Sequence, residues 1–438
     1  MTKIFIHDEF KPETIAMIQA LYSRSSDSVE NHVKQVSETG SDKFLSSYYV
    51  GYGHASIGDC GTTTLFFEGL SILATKALQD NFLYSGTECS TRYIDYSTQA
   101  IFDPIKNEKS KEIFDAWIKF YTDSMPIVIE YLKEQFPFEQ DTMIFNHWEK
   151  TIKARAFDIL RGYLPAGVTT QMSWTTNLRQ AHEKLYQLQF HPLKEVSDLA
   201  EKALDKLKEK YPASFSHKVR PEIDAYNKSI AIDNNYALSF DNMREDEFEW
   251  SSTVITPEKY LSFEESLYTR PKGAALPKHL KKYGTYTCKF LLDYGSFRDI
   301  QRHRNGLCQI PLLDTDFGFN SWYLEQLPKE LQVVARDLYK QQYKRIEELS
   351  IGCKMTEFDV QYFLPLGQNV LVELVYDLPQ MVYVTELRSS AMVHPTLRRI
   401  AHKMHHVLKE KHPDMNLYTD LSEDSFDIKR GTQDIIKK

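Results

Sequence analysis

The sequence predicts an α+β protein built from two similar halves in tandem, and three observations carry that prediction. The chain has 438 residues, too many for one ordinary core at roughly 150 residues per domain. Long stretches with apolar residues at helical spacing alternate with short apolar runs of strand character. Fragments also recur in the same order, which is the mark of an internal repeat. Leu78 and Gln79 precede Asp80, Asn81 and Phe82, as Ile300 and Gln301 precede Arg302, His303 and Arg304. Tyr163, Leu164 and Pro165 answer Phe363, Leu364 and Pro365, and His191 with Pro192 answers His394 with Pro395.

From Pro12 to Tyr22 the residues Ile15, Met17, Ile18 and Leu21 fall at helical spacing, and Ser28 to Val36 gives a second short helix. Thr64 to Leu73 is a largely apolar run whose periodicity alone does not separate a buried strand from a buried helix; it is read as a strand entering a helix. Glu108 to Gln135 and His147 to Leu160 are amphipathic stretches with aromatic residues on the apolar stripe, as expected of bundle helices. Asp224 to Pro257 is polar, with Asn-Asn and Asp-Asn pairs and an acidic cluster between Arg244 and Glu249. That composition suits a linker. It places domain boundaries at 1–223 and 258–413, with 224–257 between them. After it, Thr285 to Leu292 resembles a strand, Pro328 to Leu349 a long helix, and Val370 to Leu378 another apolar run. The charged tail, 414–438, is expected to be a surface appendage or an arm ordered by a partner.

Hydrophobic residues make up 42% and charged residues 26%, enough to bury real cores. A net charge of -8 provides no general basic field for nucleic acid and argues for small-molecule work. The five cysteines include no C-x-x-C pair and, being odd in number, make a poor disulfide framework, which favours a reducing compartment. No uncharged run of 18 residues occurs, so the expected location is the cytoplasm, without a membrane partner. His402 and His406 have the i, i+4 spacing of metal ligands, but no third ligand stands nearby, so solvated or packed histidines are favoured and no metal is expected.

The chemistry concentrates in a loop that holds Ser85, Glu88, Ser90, Arg92 and Tyr93. Arg92 can pair with a phosphate in fork geometry, Ser90 can bond a base or phosphate, and Glu88 can accept from a ribose or base. On composition alone, a polar turn capping a helix explains the loop as well. With these residues in hand, the chain resembles the flavin-dependent thymidylate synthases, whose signature reads R-H-R-x-x-S-x-x-E-x-S-x-R-Y. The second part of that signature matches without a gap, but Asp80, Asn81 and Phe82 stand where Arg-His-Arg belongs. The second half supplies Arg302, His303 and Arg304, preceded by Arg298, and there Leu307 to Pro311 have replaced the Ser/Glu/Ser/Arg/Tyr part. Around each Leu-Pro pair the family also has an arginine three residues before, an Asn-x-Arg starting thirteen after, and an arginine twenty-four after. The first half keeps Arg161, Asn177 and Arg179 but has Leu188 last; the second has Gln361, Asp377 and Pro379 but keeps Arg388. Upstream, Gly53, His54, Ser56, Asp59 and Cys60 resemble the family's G-H-x-[ST]-x-x-E-H segment, with Asp for Glu and Cys for the last His.

The resemblance implies two tandem thymidylate synthase-like domains, each a mixed or antiparallel sheet with a helical bundle. It implies transfer of a one-carbon unit from methylenetetrahydrofolate to carbon 5 of a uridine monophosphate, with FAD as cofactor and NAD(P)H as reductant. Because family sites form where subunits meet, one composite site per fused pair of domains is expected, in a homodimer that forms a pseudo-tetramer. Ser90, Arg92 and Arg388 are the expected catalytic residues, and Glu88, Ser90, Arg92, Arg161 and Arg388 the expected nucleotide ligands. His54, Ser56, Asp59, Asn177, Arg179, Arg302, His303 and Arg304 are the expected cofactor ligands. Two alternatives stay open: an enzyme of the same fold acting on another pyrimidine nucleotide, and a silent nucleotide- or flavin-binding protein.

Overall fold

The computed structural model describes residues 7–39, 55–141, 143–215, 220–237, 242–253 and 264–423. Its elements run through one order twice. After helices α1 (Pro12–Tyr22) and α2 (Val29–Thr39), strand β1 (Thr62–Ser71) passes directly into α3 (Ile72–Gln79). There follow a long helix α4 (Glu108–Gln135), α5 (Phe145–Leu160), a 3-10 turn (Arg161–Tyr163), strand β2 (Thr169–Asn177), α6 (Leu178–Leu188) and α7 (Lys194–Lys210). Then come α8 (Pro221–Ser229), α9 (Ala231–Asn235), β3 (Glu249–Ser252) and α10 (Glu264–Thr269). Strand β4 (Thr285–Asp293) passes into α11 (Tyr294–Ile300), and β5 (Leu307–Gln309), α12 (Ser321–Glu325), long α13 (Lys329–Cys353) and α14 (Glu357–Val360) follow. A 3-10 turn (Gln361–Phe363), β6 (Asn369–Asp377), α15 (Leu378–Arg388) and α16 (Pro395–Lys411) complete the order.

The chain divides into two compact units that do not follow its halves: 1–70, 74–88 and 170–235 form one, and 71–73, 89–169 and 236–438 form the other. The segment read as a linker is structured where described. Glu249 to Ser252 pair antiparallel with Lys289 to Tyr286. Their polar composition reflects an edge strand exposed on alternate residues.

In the first unit, β1 and β2 make a two-stranded sheet. The short segment at Ser85 and Thr87 runs along β2, with Thr175 N donating to Ser85 O at 2.7 Å and Ser173 N to Thr87 O at 2.8 Å. Helix α1 buries Ala16 and Ala20 against Ile57 and Ala213, and Met17 and Ile18 against Val36 of α2. The buried Glu13 carboxylate accepts from Ser214 N at 3.0 Å and Oγ at 2.6 Å, so the acid on this apolar helix is satisfied.

In the second unit a four-stranded antiparallel sheet runs β3-β4-β6-β5. Val370, Val372, Leu374 and Tyr376 of β6 share one face of the sheet and are buried, while Glu373, Val375 and Asp377 on the other face are half-buried. Helix α4 starts at a capping box of Asn107 and Ser110 and buries Trp117, whose Nε1 donates to Phe363 O at 3.1 Å. At the centre of this unit two Leu-Pro turns clasp each other. Ala166 N donates to Leu364 O and Leu366 N to Leu164 O, both at 2.8 Å; Gly167 N donates to Tyr362 O at 2.8 Å and Gly367 N to Gly162 O at 2.7 Å. Every partner in one pair has its counterpart 200 positions away in the other (164 and 364, 166 and 366). Reciprocity of this kind is what a two-fold interface produces. Both glycines are needed for the approach: a Cβ on Gly167 would lie 2.8 Å from Phe102 O, and one on Gly367 2.6 Å from Phe319.

Candidate functional site

In the second unit, Arg92 is aimed by the turn that Ser90 closes, its N–H donating to Ser90 Oγ at 3.2 Å. Its Nε and Nη2 fork onto Asp158 at 2.7 and 3.1 Å, and Nη1 donates to Met392 O at 3.0 Å. Asp158 lies on α5 with its side chain fully buried, and Arg92 is its forked partner. Of the five N–H bonds of the guanidinium, these interactions use three, and the other two have no protein acceptor among the described residues.

Across the same unit, Arg388 closes α15. Its Nε donates to His303 Nε2 at 2.7 Å and its Nη2 to Asp299 O at 2.6 Å. Accepting at Nε2 fixes His303 as the neutral ring with hydrogen on Nδ1. Burial, followed by the neighbouring Arg388, pushes its pKa down to about 3. Tyr383 stands edge-on to the ring at 5.8 Å. Burial would raise the Asp299 carboxyl, but Arg302, Arg161, Arg388 and Arg92 outweigh it and hold the pKa below the usual value. Arg302 sits 3.5 Å from Asp299 with its side chain nearly half exposed.

The other expected residues divide. Arg161 is 1% exposed and donates to Ser296 Oγ at 2.8 Å and Tyr323 Oη at 3.4 Å, with Asp293 at 3.7 Å. It is buried framework with no surface open to a nucleotide. Arg304 is half-buried and follows His303 in the same loop. In the first unit, Arg179 forks onto Asp59 at 2.7 and 2.6 Å, and Asn177 caps α6 by accepting from Gln180 N at 2.8 Å. Glu88 accepts from Gln79 Nε2 at 2.9 Å and Thr75 Oγ1 at 3.4 Å, and Ser56 is exposed. His54 lies outside the described residues. His402 and His405 bond the chain beyond α16, at Asp420 O (2.8 Å) and Thr419 Oγ1 (2.9 Å).

Sequence reasoning missed Asp158 and Asp299. An acid inside the apolar stripe of α5, and one shortly before Gln301 and Arg302 on α11, were the available signals.

Residues 6–213 match the model of the family described as thymidylate synthase complementing protein. Over those residues, slightly less than half of its length, the chain is similar to that family. The family is flavin-dependent in general and acts in thymidylate synthesis. Relatives carry the likeness further along the chain. A UPF0159 protein of Thermoplasma acidophilum is 23% identical, covering 91% of this chain and 93% of its own length. UPF0159 proteins of Chlamydia pneumoniae and Chlamydia muridarum are 24% and 21% identical, covering 80% and 83% of this chain and 75% and 77% of theirs. Among the described residues no helix is long and apolar enough to cross a membrane, and no three His, Cys, Asp or Glu side chains gather as metal ligands.

Proposed function

We propose that the protein transfers a one-carbon unit from methylenetetrahydrofolate to carbon 5 of a uridine monophosphate, as dUMP is converted to dTMP, at one composite site per chain. The observation that carries this reading is that Arg92 of the first half donates to Met392 O of the second at 3.0 Å, in the same unit where Arg388 donates to Asp299 O and Arg302 lies 3.5 Å from the Asp299 carboxylate. Each half lacks what the other keeps, and the bonds of one unit draw on both. The reciprocal Leu-Pro clasp supports a duplication in which the two halves pair as two subunits would, and a homodimer would then be a pseudo-tetramer.

The donor set fits an anionic flavin dinucleotide: Arg302 is open to solvent, Arg304 adjoins it, and the neutral Nδ1–H of His303 adds a donor without adding charge. FAD, when bound, supplies the hydride, and NAD(P)H is the reductant that restores it. The two uncommitted N–H bonds of Arg92, together with Arg388, hold the nucleotide. A guanidinium on a pyrimidine carbonyl draws charge onto that oxygen and so makes carbon 5 more nucleophilic. Ser90 Oγ accepts from Arg92 N and keeps its own O–H to donate to the base. His303 fixes the direction of Arg388, which reduces the reorganisation needed at the moment of reaction.

The test is the visible spectrum of the purified chain, followed by release and quantification of chromophore. One flavin per chain, with conversion of dUMP in the presence of methylenetetrahydrofolate, is the expected result. No flavin even after addition of excess FAD would overturn the reading.

A further inference from the structure

A cavity of about 610 Å³ opens in the second unit beside the Arg302-His303-Arg304 loop. Asn305, next after Arg304, lines it, and so does Tyr383, the ring that stands against His303. One wall is α15, beginning at Pro379. The other is the segment from Arg270 to Lys281, which the family match does not reach.

The frame of this cavity is fixed. Arg270 is buried, ion-paired with Glu386, and donates to Ala274 O at 2.7 Å. Tyr418 N donates to Glu386 at 2.9 Å and Tyr418 Oη to Arg270 O at 2.7 Å. Arg270 is thus consumed in holding the loop. The lysines are a different matter. Lys281 lies 3.5 Å from Asp377, while Lys272 and Lys278 have no ion-pair partner among the described residues. Among the described residues Glu386 is the only acid lining the cavity, and Arg270 already neutralises it. The result is a cavity with a fixed frame, two spare ammonium groups on one wall, and Tyr383, Val382 and Leu387 on the other.

Compact ammonium groups on flexible stems suit phosphate oxygens, and an aromatic and aliphatic wall suits a planar ring system. At the position where the first half has Arg179, this half has Pro379, so the α15 wall offers no guanidinium there. We propose that this cavity binds the diphosphate of a nucleotide through Lys272 and Lys278, which stand in for the cation absent at Pro379. The diphosphate comes either from a flavin dinucleotide whose ring reaches His303 and Arg388, or from a free nucleoside diphosphate. The first source rests on the flavin reading given above; the cavity itself does not.

The experiment is calorimetric titration of the full chain with FAD, ADP and inorganic pyrophosphate. It compares wild type with the double variants Lys272→Glu/Lys278→Glu and Lys272→Arg/Lys278→Arg, with thermal melts to confirm folding. The charge-reversed variant should bind FAD and pyrophosphate at least about tenfold more weakly, and the arginine variant should restore binding. Pyrophosphate and ADP binding that depends on the lysines, with no FAD binding, would support the cavity while removing the flavin reading. FAD bound equally by wild type and the charge-reversed variant would overturn the cavity inference and leave the flavin reading standing. If none of the three probes binds wild type, both fall.

Discussion

Helices α6 and α15 hold equivalent places in the two halves and differ in what their ends carry. Each follows a nine-residue strand, and each is capped by a side chain that accepts an N–H three residues on, Asn177 from Gln180 and Asp377 from Gln380. After the cap they diverge. Arg179 is bound by Asp59, whereas the matching Pro379 borders an open cavity. At the other end, Leu188 is 2% exposed, whereas Arg388 grips His303 and Asp299 O. The difference teaches which groups the fold demands. A cap satisfies backbone donors that any helix start leaves open, so both halves retain one. The guanidinium groups satisfy nothing in the backbone and can be kept in one half and lost from the other.

The largest effect on stability is expected where a retained guanidinium is held by a fully buried carboxylate. Asp158→Ala leaves the largely buried Arg92 guanidinium without its forked partner, and breaking such a pair costs about 3–5 kcal/mol. Urea denaturation should show that loss. The double change Arg92→Met with Asp158→Leu should cost less than Asp158→Ala alone, because it buries no unpaired charge. Equal losses for both would mean that packing, not charge, fixes this junction.

Arg388→Ala sharpens the comparison on the side of function. Loss of a preorganised donor at a site of developing charge typically lowers turnover about 100-fold or more. That drop in kcat for dUMP is expected from Arg388→Ala. Arg179→Ala, which removes the guanidinium that only the first half keeps, should leave kcat close to wild type. Comparable losses from both would show that the first half still carries a working site of its own.

Much of this comparison was legible in the sequence. The strand entering a helix at Thr64 to Leu73 is β1 running into α3, and the long amphipathic stretches are α4 and α5. Periodicity reports which face is apolar, and that suffices for such elements. It does not report pairing at long range. Asp158 finds Arg92 from 66 positions away; its place in the apolar stripe of α5 marks it as buried, but nothing local names its partner. Arg161 matches the family pattern yet is buried against Ser296 and Tyr323, partners that lie in the other half. The start of the tail read as an appendage, through residue 423, is instead bonded by Arg398 to Ser422 Oγ at 2.7 Å and Glu423 O at 3.1 Å. Backbone carbonyls serve as acceptors there, and they leave no trace in composition.

A pH titration of stability tests His303 within the same frame. Its folded pKa is about 3 against an ordinary 6.5, so between those values the unfolded chain binds the extra proton. Its contribution to stability is complete above about pH 6.5 and is lost as the pH falls towards 3. His191, also held near 3, and His412, near 4, add slopes of the same sign, with burial the first cause in each. His303→Asn can still accept from Arg388 but cannot titrate. Urea midpoints measured from neutral to acid pH should fall less steeply for this variant. An unchanged slope would mean that His303 takes up its proton without losing Arg388.

The smallest effect belongs to the other forked pair. Asp59 and Arg179 have the same bidentate geometry as Asp158 and Arg92, but their side chains are 31% and 34% exposed. Water and salt screen such a pair, and exposed ion pairs typically contribute about 0–1 kcal/mol. Asp59→Asn should therefore shift the urea midpoint little, and less still at high salt. It also removes the forked carboxylate from Arg179, leaving Glu183 at 3.9 Å beside the guanidinium. If the variant gains affinity for FAD or pyrophosphate, the first half retains a latent site that Asp59 neutralises; if affinity is unchanged, the pair only ties the Ala55–Cys60 turn to α6.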